Sequence, residues 1–245
     1  MSVGEERTAE LARRLAAVRE RIGAACAAAG RDPDGVELMA VTKTVPAADV
    51  ALLLDLGLTL FGENRAQEAG AKVAEVAALR PDARPRWRFI GGLQRNKARA
   101  VVAWADGVES VDSVRLADAL DRAASGALEE GRRTGPLPVL LQYSVDGDLQ
   151  RGGVPRDGLL ALADHVAGCA ALRLEGLMAV APLHADAEKA FTDIADAAAA
   201  LRSAHPAASA LSAGMSGDLD VAIRHASGCV RVGTALVGYR PLASL

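Results

Sequence analysis

Lysine is scarce in this chain. Of its 28 basic residues only Lys43, Lys72, Lys97 and Lys189 are lysines, and the other 24 are arginines. Positive charge as such is supplied by arginine, so a lysine at the end of an apolar run draws attention to its amine. An amine can lose its proton and attack a carbonyl; a guanidinium cannot. Aromatics make up only 3% of the chain, and no basic stripe interleaved with them exists, so nucleic acid is not an expected partner. The three cysteines, Cys26, Cys169 and Cys229, are widely spaced and odd in number. They predict a reduced, cytoplasmic protein with three small buried thiols rather than a disulfide framework. No His/Cys pair has metal-ligand spacing, and His165, His184, His205 and His225 are scattered, as surface or helix residues are. No run of about 18 apolar residues suggests a membrane span. The charged, periodic start "MSVGEERTAELARRLAAVRERIGAACAAAG" lacks the apolar segment of a signal peptide, which adds to the cytoplasmic expectation.

What is present is a core. The 245 residues are 51% hydrophobic and 24% charged, with net charge −3 and a pI near 5.9, as expected of a globular protein. Leu11, Leu15, Val18, Ile22 and Cys26 recur at helical spacing and predict an amphipathic helix over 5–29 that ends at Gly30. Short β-prone runs then recur at 36–42, 58–63, 86–92, 107–112, 138–145, 172–180, 209–214 and 229–238, with helical patterns between them. Strands alternating with helices indicate parallel βαβ units. Eight units in roughly 210 residues predict an α/β fold of the (β/α)8 TIM-barrel type with an extra N-terminal helix, forming a single domain over 1–245. An open doubly wound sheet is the alternative.

A barrel places its active site at the C-terminal ends of the strands. The run "VELMAVTKTVP" (36–46) ends at Lys43, which would stand on that rim. Glu63 and Asn64, Gln94 and Asn96, Asp112 and Ser113, and Ser216 follow strands two, three, four and seven, while Arg231, Gly233 and Thr234 are expected in strand eight. The loops "SAGMSGD" (212–218) and "RVGTALVG" (231–238) are rich in glycine where such barrels often hold a phosphate, although the same glycines would also serve simply to close turns. A phosphate site facing Lys43 points to a phosphorylated aldehyde, and pyridoxal 5′-phosphate (PLP) binds lysine as a Schiff base with its phosphate held apart. Partial burial would make the neutral amine of Lys43 more available. An arginine facing the pyridine nitrogen would leave that nitrogen unprotonated and the ring a weak electron sink; a salt-bridged rim residue is the other reading of Arg231.

"MAVTKTVP", "FGENRAQE", "WRFIGGLQRNKAR", "VDS", "GLMAVAP", "LSAGMSGDLDVAI" and "VRVGTALVG" resemble, in order and spacing, the motifs of the PLP homeostasis proteins, a single-domain family related to the barrel domain of alanine racemase. The resemblance runs from about Val36 to Arg240. It implies a cytoplasmic PLP binder that buffers and delivers the cofactor in vitamin B6 homeostasis, with client PLP enzymes as partners. Lys43 would carry PLP as a Schiff base, with Asn64 beside the ring. Met215, Ser216, Gly233 and Thr234 would contact the cofactor and its phosphate, and Arg231 would face the pyridine nitrogen. Arg65, Gly92, Tyr143, Ser144 and Arg151 depart from the family pattern, on the rims of strands two, three and five.

The same resemblance argues against strong catalysis. Racemisation by two-sided proton transfer needs a base on each face of the ring. In alanine racemase the second base is a tyrosine that another subunit contributes from near a separate C-terminal domain. Here the sequence ends at "YRPLASL", and neither Tyr143 nor Tyr239 matches that residue. A monomeric carrier without robust activity is expected; the alternative is a racemase or eliminase of low activity. The basic cluster Arg95, Lys97 and Arg99 is expected to form a solvated helix face, the alternative being a surface that docks a client or an anionic ligand.

Overall fold

The computed structural model describes residues 3–148, 151–182 and 184–238. It begins with helix α1 (Val3–Ala28). There follow β1 (Glu37–Val41), α2 (Ala47–Asp55), β2 (Leu60–Glu63), α3 (Ala66–Leu79), β3 (Arg86–Phe89), α4 (Ala98–Val102), β4 (Gly107–Val111) and α5 (Val114–Glu129). The second half holds β5 (Leu137–Tyr143), α6 (Arg156–Ala167), β6 (Leu172–Ala179), α7 (Ala187–Ala204), β7 (Ala210–Ala213), α8 (Leu219–Arg224), β8 (Cys229–Val232) and α9 (Thr234–Val237). The strands pair in sequence order, and β8 returns to β1 in parallel register (Met39 beside Arg231), which closes an eight-stranded barrel. That closure excludes the open-sheet alternative. All eight expected strands exist, with one correction. The run 229–238 is a strand only to Val232, so Gly233 and Thr234 lie in the turn into α9 rather than within β8.

The apolar core lies mainly between the strands and the ring of helices. Ala40, Phe61, Val230 and Val232 pack outward against α1 and α2, where Leu11, Leu15, Val18 and Ile22 are buried as their spacing predicts. Each such leucine contributes on the order of 1.5–3 kcal/mol on burial. On the other side of the barrel, Phe89, Val108, Val139 and Leu141 pack against the buried faces of α5, α6 and α7. Because side chains alternate along a strand, Met39, Arg88, Ser212 and Arg231 point the other way, into the barrel, where Glu109 of β4 meets Ser212 of β7. The three thiols are free; Cys26 is buried, while Cys169 and Cys229 are half-buried, which corrects the expectation of three buried thiols.

Candidate functional site

The C-terminal end of β1 is clamped to that of β2. Thr42 Oγ1 donates to Glu63 Oε1 at 2.7 Å, and Lys72 Nζ, reaching in from α3, donates to Glu63 Oε1 at 2.7 Å and to the Thr42 carbonyl at 2.6 Å. Glu63 is almost fully buried and the Lys72 side chain is 11% exposed. Glu63 therefore belongs to this clamp and not to the open rim on which the sequence placed it. The next residue on each strand is a candidate ligand, Lys43 after Thr42 and Asn64 after Glu63. Fixing the two strand ends from the helix side leaves Lys43 and Asn64 to face the barrel mouth.

The mouth holds a cavity of about 380 Å³, and its lining includes Lys43, Asn64, Met215, Ser216, Arg231, Gly233 and Thr234. The structure thus brings together the seven residues that the family resemblance assigns to the cofactor. Small-molecule pockets commonly measure about 300–1,000 Å³. The apolar part of the wall, which sequence reasoning did not name, comes from Val41, Ile90, Met178 and Val180. Lys43 is exposed at the mouth, not partly buried as expected, and its amine has no hydrogen-bond or ion-pair partner among the described residues. Asn64 Oδ1 is buried without a partner. Its position is set by close packing: a Cβ on Gly91 would lie 2.5 Å from the Asn64 carbonyl oxygen, so only glycine lets the end of β3 approach this closely.

Opposite Lys43, the loop after β7 turns sharply at Gly214. Its φ is +93°, and a Cβ there would lie 2.5 Å from the Ala222 Cβ. The turn is held by Met215 N–H donating to Asp218 Oδ1 at 2.6 Å and by Arg21 Nη1 of α1 donating to the Ser216 carbonyl at 2.5 Å. The N–H groups of Ser216, Gly217 and Gly233 have no acceptor among the described residues. They form a patch of unpartnered donors in which an anion would be well accommodated.

Arg231 is buried in the cavity floor. Its Nη1 donates to the Ser212 carbonyl at 2.6 Å and to Ser212 Oγ at 2.8 Å, and Nη2 donates to the Ala179 carbonyl at 2.7 Å. No carboxylate pairs with it directly, so the salt-bridged rim alternative does not describe this residue. Its Nε is left without an acceptor among the described residues. Behind it, Ser212 Oγ donates to Glu109 Oε2 at 2.7 Å. Burial pushes the Glu109 carboxyl above its ordinary range, against the opposing pull of Arg231, the Ser212 hydroxyl and Arg88.

Other rim residues fall elsewhere. Gln94, Asn96, Asp112 and Ser113 line a separate cleft. Lys97 is half-buried in another cleft that shares Asn64, whereas Arg95 and Arg99 are exposed as a solvated face requires. Arg65 pairs with Glu68, and Arg151 pairs with Asp146 and reaches the Val180 carbonyl. Tyr143 does not line the cavity: its hydroxyl donates to Asp193 of α7 at 2.7 Å. Burial, then that hydrogen bond, pushes the phenol up to about 12. Tyr239 lies outside the described residues.

The sequence model of the alanine racemase N-terminal domain matches residues 14–241. The pyridoxal phosphate homeostasis protein of Mycobacterium tuberculosis is 45% identical over an alignment that covers 100% of this chain and 98% of the relative. The chain belongs to the pyridoxal phosphate homeostasis protein family. The Escherichia coli member is 36% identical, with 94% of this chain and 97% of the relative covered. Among solved structures of the family, PipY of Synechococcus elongatus with PLP bound superposes with a TM-score of 0.77 at 36% identity, covering 93% of this chain and all of PipY. Alanine racemase of Corynebacterium glutamicum shares the fold, with a TM-score of 0.70 at 15% identity. The match covers 97% of this chain and 62% of that enzyme.

Proposed function

We propose that this chain binds PLP in the strand-end cavity, with the cofactor attached to Lys43 as a Schiff base, and that it buffers and delivers PLP in the cytoplasm. The observation that carries this reading is the convergence on one cavity of an unpartnered amine, a buried guanidinium and a patch of unpartnered backbone donors. The PLP-bound structure of PipY supports it. When bound, the cofactor supplies an aldehyde carbon to which an amine adds with loss of water, a ring nitrogen and a phosphate. The residues present fit each part. Lys43 offers its amine at the open mouth, where an incoming amine can also reach. Ser216, Gly217 and Gly233 offer N–H groups to the phosphate and Thr234 adds a hydroxyl. Asn64 lines the same cavity, and its Oδ1 is left without a partner among the described residues.

Arg231 supports the carrier reading over a catalytic one. A guanidinium only donates, so a ring nitrogen facing Arg231 serves as acceptor and gains no proton. The electron sink that amino-acid chemistry requires is thereby weakened. No tyrosine lines the cavity among the described residues, and the Tyr143 hydroxyl is held by Asp193, outside the barrel. The arrangement suits an aldehyde that is held and exchanged, and no second base is positioned in the cavity among the described residues. The test is the visible spectrum of the purified protein with PLP, followed by borohydride reduction and peptide mapping. A visible band and a label on Lys43 are expected. No band, or a label elsewhere, overturns the reading.

A further inference from the structure

The least expected feature of the barrel interior is Glu109, a carboxyl buried to 3% exposure beneath the cavity. It does not line the cavity and so cannot touch a ligand there. Its Oε2 accepts from Ser212 Oγ at 2.7 Å, and the same Ser212 Oγ accepts from Arg231 Nη1 at 2.8 Å. The direction of this chain is forced. Arginine can only donate, so the serine oxygen must turn a lone pair toward Arg231. The single serine proton must then go elsewhere, and Glu109 Oε2 is the acceptor that takes it. Carboxyl and carboxylate oxygens both accept, so the link holds in either protonation state of Glu109.

The remaining contacts of Arg231 are backbone carbonyls, Ser212 on β7 and Ala179 on β6. They fix two edges of the guanidinium but leave rotation about its long side chain resisted only by hydrogen bonds. The serine link adds a second bond to Nη1 of a side chain that lines the cavity. Around Glu109 stand Arg231 of β8, Ser212 of β7, Arg88 of β3 and Glu175 of β6. Arg88 Nη2 is itself occupied by Glu175 at 3.1 Å. Among the described residues Glu109 thus has Ser212 as its hydrogen-bonded neighbour, and it acts on the site through Ser212.

We infer that Glu109 and Ser212 are positioning residues for Arg231: together they hold its guanidinium in the cavity floor, and so set how the ring nitrogen of a bound pyridine cofactor is met. This inference rests on the PLP reading for its consequence but not for its geometry, and the two are tested separately.

The first measurement uses the ligand-free protein. Arginine side-chain N–H resonances are recorded in ¹⁵N-labelled protein, and those of Arg231 are assigned by their loss in Arg231→Lys. In the wild type the Arg231 N–H groups should exchange slowly. Glu109→Gln keeps an acceptor oxygen and should preserve them, whereas Glu109→Leu should speed their exchange at least tenfold. Ser212→Ala, the milder change, should do the same and serves if Glu109→Leu does not fold. Exchange as slow as wild type in folded Glu109→Leu or Ser212→Ala overturns the inference. In the second measurement PLP is added to the wild type, Ser212→Ala and Glu109→Gln. Failure of the wild type to form a visible band defeats the PLP reading and leaves the exchange result to stand or fall alone. If the band forms, its wavelength or pH dependence should shift in Ser212→Ala and return to the wild-type value in Glu109→Gln. Identical spectra in all three proteins overturn the positioning role.

Discussion

Lys72 Nζ lies 2.7 Å from Glu63 Oε1, and that ion pair ties α3 to the ends of the two strands that present Lys43 and Asn64. The pair is nearly dry, and Thr42 Oγ1 supplies a further donor to the same carboxylate oxygen. Lys72 does not itself line the cavity, yet it ties down the residue before each of the two ligand positions.

Removing the ammonium should therefore cost stability and binding together. Lys72→Met leaves Glu63 buried with only a hydroxyl partner. Stranding one member of a buried pair costs about 3–5 kcal/mol, and the Thr42 bond places this case at the lower end. Denaturant unfolding should show that loss, and PLP affinity measured by absorbance should fall. Lys72→Arg should recover part of both. Wild-type stability in Lys72→Met would show that the clamp contributes nothing.

Lys43 should behave in the opposite way. It is exposed and makes no contact that holds the core, and surface substitutions usually change stability by less than about 0.5 kcal/mol. Lys43→Ala should unfold at the wild-type denaturant midpoint while losing the visible band and the borohydride-stable conjugate. The same conjugate in the variant would move the attachment to another lysine.

The anion patch depends on Gly214. With φ at +93° and the Ala222 Cβ directly in the way, Gly214→Ala strains the backbone and pushes α8 outward. A strained position of this kind costs of order 1–3 kcal/mol. Titration with inorganic phosphate, followed by amide shifts of Ser216 and Gly233, should show weaker binding than in the wild type. Unchanged phosphate affinity would separate the turn from the site.

The pH dependence of stability should expose Glu109. Its carboxyl is raised above the ordinary value of 4.5, mainly by burial. A raised group holds its proton longer in the folded state. Its contribution is full below 4.5 and is lost as pH rises through the folded value. Glu109→Gln cannot ionise, so its stability relative to wild type should improve as pH rises above 4.5, until the folded wild-type carboxyl has itself ionised. Urea midpoints measured from pH 4.5 upward check this, and a constant difference would contradict the raised carboxyl.

Arg231→Gln removes the permanent donor from the cavity floor. The cofactor band should shift, and its response to pH should change because the ring nitrogen is no longer opposed by a fixed cation. An unaltered titration would mean that Arg231 does not meet the ring.

Much of this was legible in the residues. The alternation of β-prone runs and amphipathic helices specified the barrel, because side chains on the outward strand faces and on the helices must bury each other at fixed periods. The burial of Leu11, Leu15, Val18, Ile22 and Cys26 on one face of α1 follows directly from their spacing. Barrel geometry and the scarcity of lysine pointed to Lys43 and a wider set of strand-end residues; the seven cavity residues, Met215 among them, were singled out by the resemblance to the family's motifs. The same scarcity marked Lys72, but scarcity says nothing of where a side chain goes. The rule that all strand ends share one rim also overreached: Glu63 turned outward into a clamp, and Gln94 and Asp112 fell into another cleft.

The sequence by itself determined the eight-fold repeat, the chemistry available at the strand ends and the family, because these depend on local periodicity and on the order of residues along the chain. Only the tertiary structure decided that Glu109, Ser212 and Arg231 form one chain of hydrogen bonds. They come from β4, β7 and β8, and 103 residues separate the first two. Closure of the sheet is what brings their inward faces within 3 Å of one another. No pattern along the chain encodes which inward polar groups will meet across a closed barrel; that is fixed by strand stagger and by the requirement that every buried donor and acceptor find a partner.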